Sequence, residues 1–185
     1  VFKDILDEVM NLFNTKYLHI GGDECQLNDG KTAPNAKKDI KIQLTNYKQL
    51  QDWFTEQIVS HIRKNGHIAI GWDDIYHENI SKDITIMANH KDVGSTAAKN
   101  GLKVIMTPST LVYICQCQYN VADIFEYANF GFKTLYVCYC YDPTDGVDST
   151  STGNVIGVQG SLWTEWMWGG EEDFLYKMFP RIVAI

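Results

Sequence analysis

Tyr17-Leu18-His19-Ile20-Gly21-Gly22-Asp23-Glu24 is the stretch on which the fold turns. Its first four residues form a short β-prone run, and the glycine pair stops it. A bend at Gly21-Gly22 lets both Asp23 and Glu24 face one mouth, which the side-to-side alternation of a regular strand forbids. Before it, Phe2, Ile5, Leu6, Val9, Met10 and Phe13 recur at helical spacing. After it, residues 23–46 read as a long polar loop carrying Asn28-Asp29-Gly30 and Ala33-Pro34-Asn35. A helix follows over 47–64, with Leu50, Trp53, Phe54, Ile58, His61 and Ile62 in register and Gly66 as its stop.

The same beat then repeats. Residues 67–72 and 84–88 read as strands, 95–100 as a short Ala-rich helix, and 103–107 as the next strand. Residues 121–130 read as a helix closed by Gly131, and 171–185 begins another. Leu135 to Tyr141 alternates like a strand, with a turn of helix as the alternative. Asp142-Pro143 opens a polar loop to residue 153, and 155–160 is the last strand. Short apolar strands punctuated by glycine and alternating with amphipathic helices specify an α/β fold, with a parallel sheet and right-handed crossovers. No linker-like stretch divides residues 1–185, so one domain is expected.

Composition narrows the classes of partner. The chain has 185 residues, 23 Asp+Glu against 16 Lys+Arg, a net charge of −7 and a 12% aromatic share. The acidic balance argues against a nucleic-acid groove. No apolar run approaches the length of a membrane span, so no membrane-spanning segment is expected. The 5 cysteines, at 25, 115, 117, 138 and 140, are odd in number and form two C-x-C pairs, which is not a disulfide framework. Zinc motifs space their ligands C-x₂-C or wider, so small apolar fillers are the favoured reading and a thiol–metal module the alternative.

Ligands of parallel α/β folds bind at the carboxyl ends of the strands. Here those ends carry Gly21-Gly22-Asp23-Glu24, Trp72-Asp73-Asp74, Asn89-His90, Ser109 to Tyr113, and Trp163-Thr164-Glu165. Carboxylates and indoles together suit a sugar: the rings cover its C–H faces and the carboxylates accept its hydroxyl hydrogens. Two carboxylates close together in a partly dry pocket also resist ionising together, which keeps one protonated as an acid. Taken singly, each residue has a blander reading. Asp-Glu pairs are common on solvated loops, Trp72 and Trp163 suit a core, and Glu165 suits a rim. His19 reads as a core or supporting histidine and His61 as a packing residue. Their joint recurrence at strand ends is what favours function.

The run His19-Ile20-Gly21-Gly22-Asp23-Glu24 resembles the H-x-G-G-D-E signature of glycoside hydrolase family 20, the β-N-acetylhexosaminidases. Gly71-Trp72-Asp73-Asp74, Val104-Ile105-Met106-Thr107-Pro108-Ser109, Ile156-Gly157-Val158-Gln159, Leu162-Trp163-Thr164-Glu165 and Phe179-Pro180-Arg181 resemble further family segments, in the family's order. The resemblance implies a (β/α)8 TIM barrel with the Asp-Glu pair after its fourth strand. The five strands read here would then be the fourth to the eighth, a partial barrel and a fragment of a longer enzyme, since a barrel takes about 250 residues.

It also implies removal of terminal N-acetylglucosamine or N-acetylgalactosamine with retention, the substrate's acetamido oxygen acting as nucleophile through an oxazolinium-like intermediate. Glu24 would be the acid/base and Asp23 the acceptor for the acetamido N–H. Tyr113 would hold the acetamido oxygen, Trp72 and Trp163 would wall the pocket, Glu165 would bind outer hydroxyls, and His19 would support. No metal or other cofactor is required. The partner would be a glycan or chitooligosaccharide, and the family's habit implies a secreted, periplasmic or lysosomal-type compartment. Three positions depart from the family: Asn89-His90 stands where a Trp-Arg pair is usual, Ile114-Cys115 where Leu-Asp follows the tyrosine, and Asp74 where Glu follows Trp-Asp. They motivate the alternative of a degenerate, non-catalytic sugar-binding relative or an inactive fragment.

Overall fold

The computed structural model describes residues 1–25, 47–119, 126, 128, 131–165 and 167–185. The described strands β1 (Tyr17–His19), β2 (Ile68–Trp72), β3 (Ile84–Ala88), β4 (Lys103–Met106) and β5 (Val155–Val158) form one sheet in sequential order. Every neighbouring pair is parallel. The register sets His19 beside Ile70, Trp72 beside Met87, Ala88 beside Met106, and Met106 beside Val158. All carboxyl ends therefore open on one edge of the sheet, and the loops that leave them share that edge.

The described helices are α1 (Phe2–Leu12), α2 (Tyr47–Lys64), α3 (Lys91–Lys99), α4 (Ser109–Val112), α5 (Leu135–Tyr139), α6 (Glu171–Met178) and α7 (Arg181–Ala184). Helix α2 buries Thr55, Ile58, Val59 and Ile62, the i, i+3, i+4, i+7 stripe of a one-sided helix. Helix α3 buries Gly94, Ala97 and Ala98, small residues that bring its backbone close to β3 and β4. Against them pack Ala69, Ile84, Ile86, Ala88, Val104 and Met106 from one face of the sheet, making a continuous apolar core. Strand β3 is buried along its whole length, as expected for the central strand.

Beyond shifts of one or two residues at strand ends, four boundaries differ from the sequence reading. Leu135–Tyr139 is helix, not strand: the Thr134 hydroxyl accepts the Val137 N–H, and this capped turn has no strand beside it in the described sheet. The 171–185 helix is two helices, because Pro180 cannot continue the hydrogen-bond ladder of α6. Helix α3 begins at Lys91, four residues before the Ala-rich core of the pattern, and Ser109–Val112 forms a turn of helix. His61 does more than pack: its Nε2 lies 2.6 Å from Asp7 Oδ1, tying α2 to α1. Most of the 23–46 loop and of the 121–130 helix lie outside the described residues.

Arg181, fully buried, holds the loop after α4 in place. Its guanidinium donates to the carbonyls of Ile114 (2.6 Å), Gln116 (2.9 Å), Lys133 (3.0 Å) and Lys177 (2.6 Å). Beside it, the buried Lys177 ammonium pairs with Glu126 at 3.1 Å. Buried carbonyls without a donor are costly, and a planar five-donor fork serves several at once. Replacing Arg181 by Met in the natural full-length protein should therefore cost roughly 3–5 kcal/mol of stability, read by chemical denaturation. Arg181→Lys should recover only part of that loss.

Candidate active site

The first strand end is built by two positive-φ glycines. Gly21 and Gly22 sit at φ 70° and 101°, and Glu24 itself adopts φ 52°, a conformation unusual for a residue with a side chain. The turn is locked from below by Ile75, which is fully buried. A Cβ on Gly22 would lie 2.2 Å from Ile75 Cγ2, and a Cβ on Gly71 would lie 2.3 Å from Ile75 Cδ1. Ile75 thus fills the notch left by glycines on two adjacent strand ends. From above, Gln51 Nε2 donates to the Gly22 carbonyl at 3.0 Å, and the Trp72 N–H donates to the Gly21 carbonyl at 3.0 Å. Lys48, one turn before Gln51 on α2, donates to the Asp74 carbonyl at 3.0 Å.

His19 stands behind the turn. Its Nδ1 accepts the Gly21 N–H at 3.1 Å, and its ring meets Trp72 edge-on with centroids 5.1 Å apart. Burial lowers its pKa, opposed by the charge of Asp23, so the imidazole is neutral with its proton on Nε2. Trp72 continues the aromatic wall to Trp163, and Trp163 to Tyr113, each pair with centroids 6.0 Å apart. Burial raises the Tyr113 pKa, and polar contact with Trp163 and Asn89 opposes that rise. The hydroxyl stays protonated and able to donate at neutral pH.

Asp73, which follows Trp72, faces inward. Its fully buried carboxylate accepts the His90 N–H at 2.8 Å and lies 3.2 Å from His90 Nδ1. Burial raises its pKa, against the hydrogen bonds and charge of His90. The pair stitches the end of β2 to the end of β3. The ends of β3 and β4 are joined by Thr107 N–H to the Ala88 carbonyl (2.8 Å) and Ser109 N–H to the Asn89 carbonyl (3.0 Å). Tyr113 and Ser161 form a parallel bridge beyond β4 and β5, backed by the buried Thr107–Ser161 hydroxyl pair at 2.9 Å.

These strand ends enclose a cavity of about 670 Å³ lined by Asp23, Glu24, Trp72, Tyr113, Trp163 and Glu165. Asp74, Asn89, His90 and Cys115 complete its lining. His19 is not among the lining residues and acts through Trp72 and Gly21. Asp23, Glu24 and Glu165 are exposed, so the described residues do not supply the dry surroundings expected for the acidic pair. Burial pushes the Cys115 thiol pKa up, opposed first by hydrogen bonding with the Trp163 backbone. Cys117 donates to the Glu126 carbonyl, Cys138 is buried beside the Leu111 carbonyl, and Cys140 is exposed. Among the described residues no group of three or more His, Cys, Asp or Glu side chains converges as metal ligands would.

Gln51, Lys48, Ile75 and Arg181 escaped the sequence reading as contributors to the site. The signal for Gln51 was weak: a polar residue beside the apolar stripe of α2. Arg181 stood in a recognised segment without a role, and its burial could not be read from pattern.

The whole chain, residues 1–185, matches the family model of the glycosyl hydrolase family 20 catalytic domain. A β-hexosaminidase of Porphyromonas gingivalis is 30% identical over 185 residues, covering 98% of this chain and 24% of that protein. A β-hexosaminidase of Vibrio furnissii is 24% identical, covering 98% of this chain and 30% of its own length. The Vibrio harveyi family 20 exo-β-N-acetylglucosaminidase, solved in complex with N-acetylglucosamine, superposes with a TM-score of 0.85 at 25% identity, covering 98% of this chain and 29% of that one. The chain thus spans about a quarter to a third of the length of these relatives.

Two outcomes test the local geometry. Gly22→Ala should destabilise the natural full-length protein by roughly 1–3 kcal/mol in chemical denaturation, since it adds both a positive-φ penalty and a collision with Ile75. Cys115, half-buried and held as a thiol, should be alkylated by iodoacetamide at pH 7 more slowly than the exposed Cys25, as read by peptide mass spectrometry.

Proposed function

Because the chain belongs to glycosyl hydrolase family 20, as catalytic-domain sequence, we propose that it carries the acid/base machinery of a retaining β-N-acetylhexosaminidase. The substrates of this reading are glycans or chitooligosaccharides ending in β-linked N-acetylglucosamine or N-acetylgalactosamine. Its five described parallel strands would be the fourth to eighth of a (β/α)8 barrel, a reading supported by their sequential order and common carboxyl edge. The observation that carries the proposal is a single cavity lined at once by Asp23, Glu24, Tyr113, Trp72, Trp163 and Glu165.

The terminal sugar lies against Trp72 and Trp163, whose faces match its C–H surface. Tyr113 donates to the acetamido carbonyl oxygen and Asp23 accepts the acetamido N–H, which aims that oxygen at the anomeric carbon. Glu24 gives its proton to the glycosidic oxygen as the C–O bond breaks and the acetamido oxygen–anomeric carbon bond forms. The positive charge of the resulting oxazolinium is shared with the carboxylate of Asp23. Water then adds to the anomeric carbon, its proton passes to Glu24, the ring opens, and the acetamido group and the acid are both restored. The nucleophile is already tethered to the substrate, so holding it in line can replace a protein nucleophile. Glu165 accepts outer hydroxyls.

A second reading, binding without turnover, is favoured by Asn89 and Cys115 in the lining, where related enzymes keep an aromatic ring and a carboxylate. Assaying the natural full-length protein on 4-nitrophenyl N-acetyl-β-glucosaminide separates the two. Turnover is expected, and Glu24→Gln should slow it by roughly 10²–10⁴-fold. A folded protein that binds N-acetylglucosamine yet shows no turnover would favour the second reading.

A further inference from the structure

Asn79-Ile80-Ser81 is the single Asn-x-Ser/Thr run of the chain with a residue other than proline at its centre. Every residue of the β2–β3 connection, 73–83, is described; it holds one 3₁₀ turn, Asp73–Ile75, and no α-helix. Ile75 and Ile80 anchor this connection in the apolar core. Between them the Ile80 N–H donates to the His77 carbonyl at 3.0 Å, closing a β-turn with Glu78 and Asn79 at its two central positions. Both central residues are exposed. The Asn79 side chain has no hydrogen-bond or ionic partner among the described residues. Beyond the turn, the Ser81 N–H donates to Glu56 Oε1 of α2 at 2.9 Å, which fixes the base of the turn against that helix. The turn is thus anchored on both sides and presents the amide of Asn79 to solvent.

We infer that Asn79 is a site of N-linked glycosylation, carrying an oligosaccharide transferred from a polyprenyl-diphosphate donor. An asparagine amide two residues before a hydroxyl-bearing side chain is the acceptor this chemistry uses. Nδ2 of Asn79 bonds to the anomeric carbon of the oligosaccharide and the C–O bond to the diphosphate breaks. The lipid diphosphate leaves with the electrons of that bond, and the amide gives up one proton to solvent. In the folded chain Ser81 Oγ is already engaged, donating to Asp83 Oδ2 at 3.2 Å and accepting the Asp83 N–H at 3.3 Å, and Ile80 is buried. The transfer therefore belongs to the extended chain, before β3 pairs with its neighbours, in the lumen of a secretory pathway. The fold then accommodates the product, since Asn79 is exposed and is not among the lining residues of the 670 Å³ cavity. The connection runs from the carboxyl end of β2 back to the amino end of β3, where Lys82 and Asp83 line a hollow with Tyr17, Ile68 and Lys103. A glycan on this leg leaves the cavity clear and gives a bulky polar cover to a connection that has no α-helix of its own.

Peptide mapping of the natural full-length protein, purified from its source, tests this directly. Peptide-N-glycosidase in heavy-oxygen water should convert Asn79 to aspartate carrying the heavy isotope, in most copies of the protein. Denaturing gels of variants expressed in that source supply the second arm. Asn79→Gln and Ser81→Ala should each lose the same mass of glycan, while Ser81→Thr should keep it. Mobility is read on denatured chains, so a variant that folds poorly still reports. Recovery of the Asn79 peptide unmodified in the mature protein overturns the inference, as does a glycan retained at Asn79 in Ser81→Ala. None of these readouts involves turnover, so the hexosaminidase reading stands or falls separately.

Discussion

Ile75 in the notch of Gly22 and Gly71 is the contact on which the site depends. One fully buried side chain occupies the space of two absent Cβ atoms, on the ends of two adjacent strands. With that space filled, the Gly21-Gly22 turn and the Trp72 turn cannot move independently. The first turn aims Asp23 and Glu24, and the second aims Trp72 and sends Asp73 inward. Interiors are packed densely enough that such a three-way contact behaves as a fixed joint. The hydrogen bonds from Gln51 and Trp72 to the glycine carbonyls then satisfy the backbone that the turn exposes.

Each further strand end is tied to its neighbour by a polar contact that also serves the site. Asp73 links β2 to the His90 backbone, and Thr107 and Ser161 link β4 to the segment after β5. Arg181 clamps the loop that carries Cys115 through the Ile114 and Gln116 carbonyls. The chemistry-bearing side chains of this edge are consequently set by buried polar groups, while the apolar core beneath sets the strands. Stability and site geometry are coupled through a few residues, of which Arg181, Thr107 and Ile75 are fully buried.

Much of this was legible in the chain. Strand β3 was read with its observed bounds because Ile84-Thr85-Ile86-Met87-Ala88 is short, apolar and bounded by polar turns. Helix α2 was legible from its stripe and its stop at Gly66. Leu135 to Tyr141 was ambiguous because so short a run satisfies both periods, and the Thr134 cap decides for the alternative, a turn of helix over Leu135–Tyr139. The start of α3 was obscured by Lys91 and Asp92, which carry no apolar period. Within the site, the Asp23-Glu24 pair and the indoles stood out by type and position. The long-range partners did not: Gln51 meets Gly22 across 29 residues, and Arg181 meets Ile114 across 67, distances that local pattern does not encode. The Asp73–His90 pairing was hidden in the same way, since an Asp-Asp run after a strand gives no sign of which carboxylate turns inward.

The central claim is that the acylamino group of the substrate, oriented by Asp23 and Tyr113, supplies the nucleophile while Glu24 moves the proton. Proton NMR of the first-formed sugar during hydrolysis of a β-N-acetylglucosaminide by the natural full-length protein tests it most directly. Two displacements at the anomeric carbon, the first by the acetamido oxygen, predict that the β-hemiacetal appears first and mutarotates later. Initial release of the α-anomer would contradict the account, because it requires a single displacement by water.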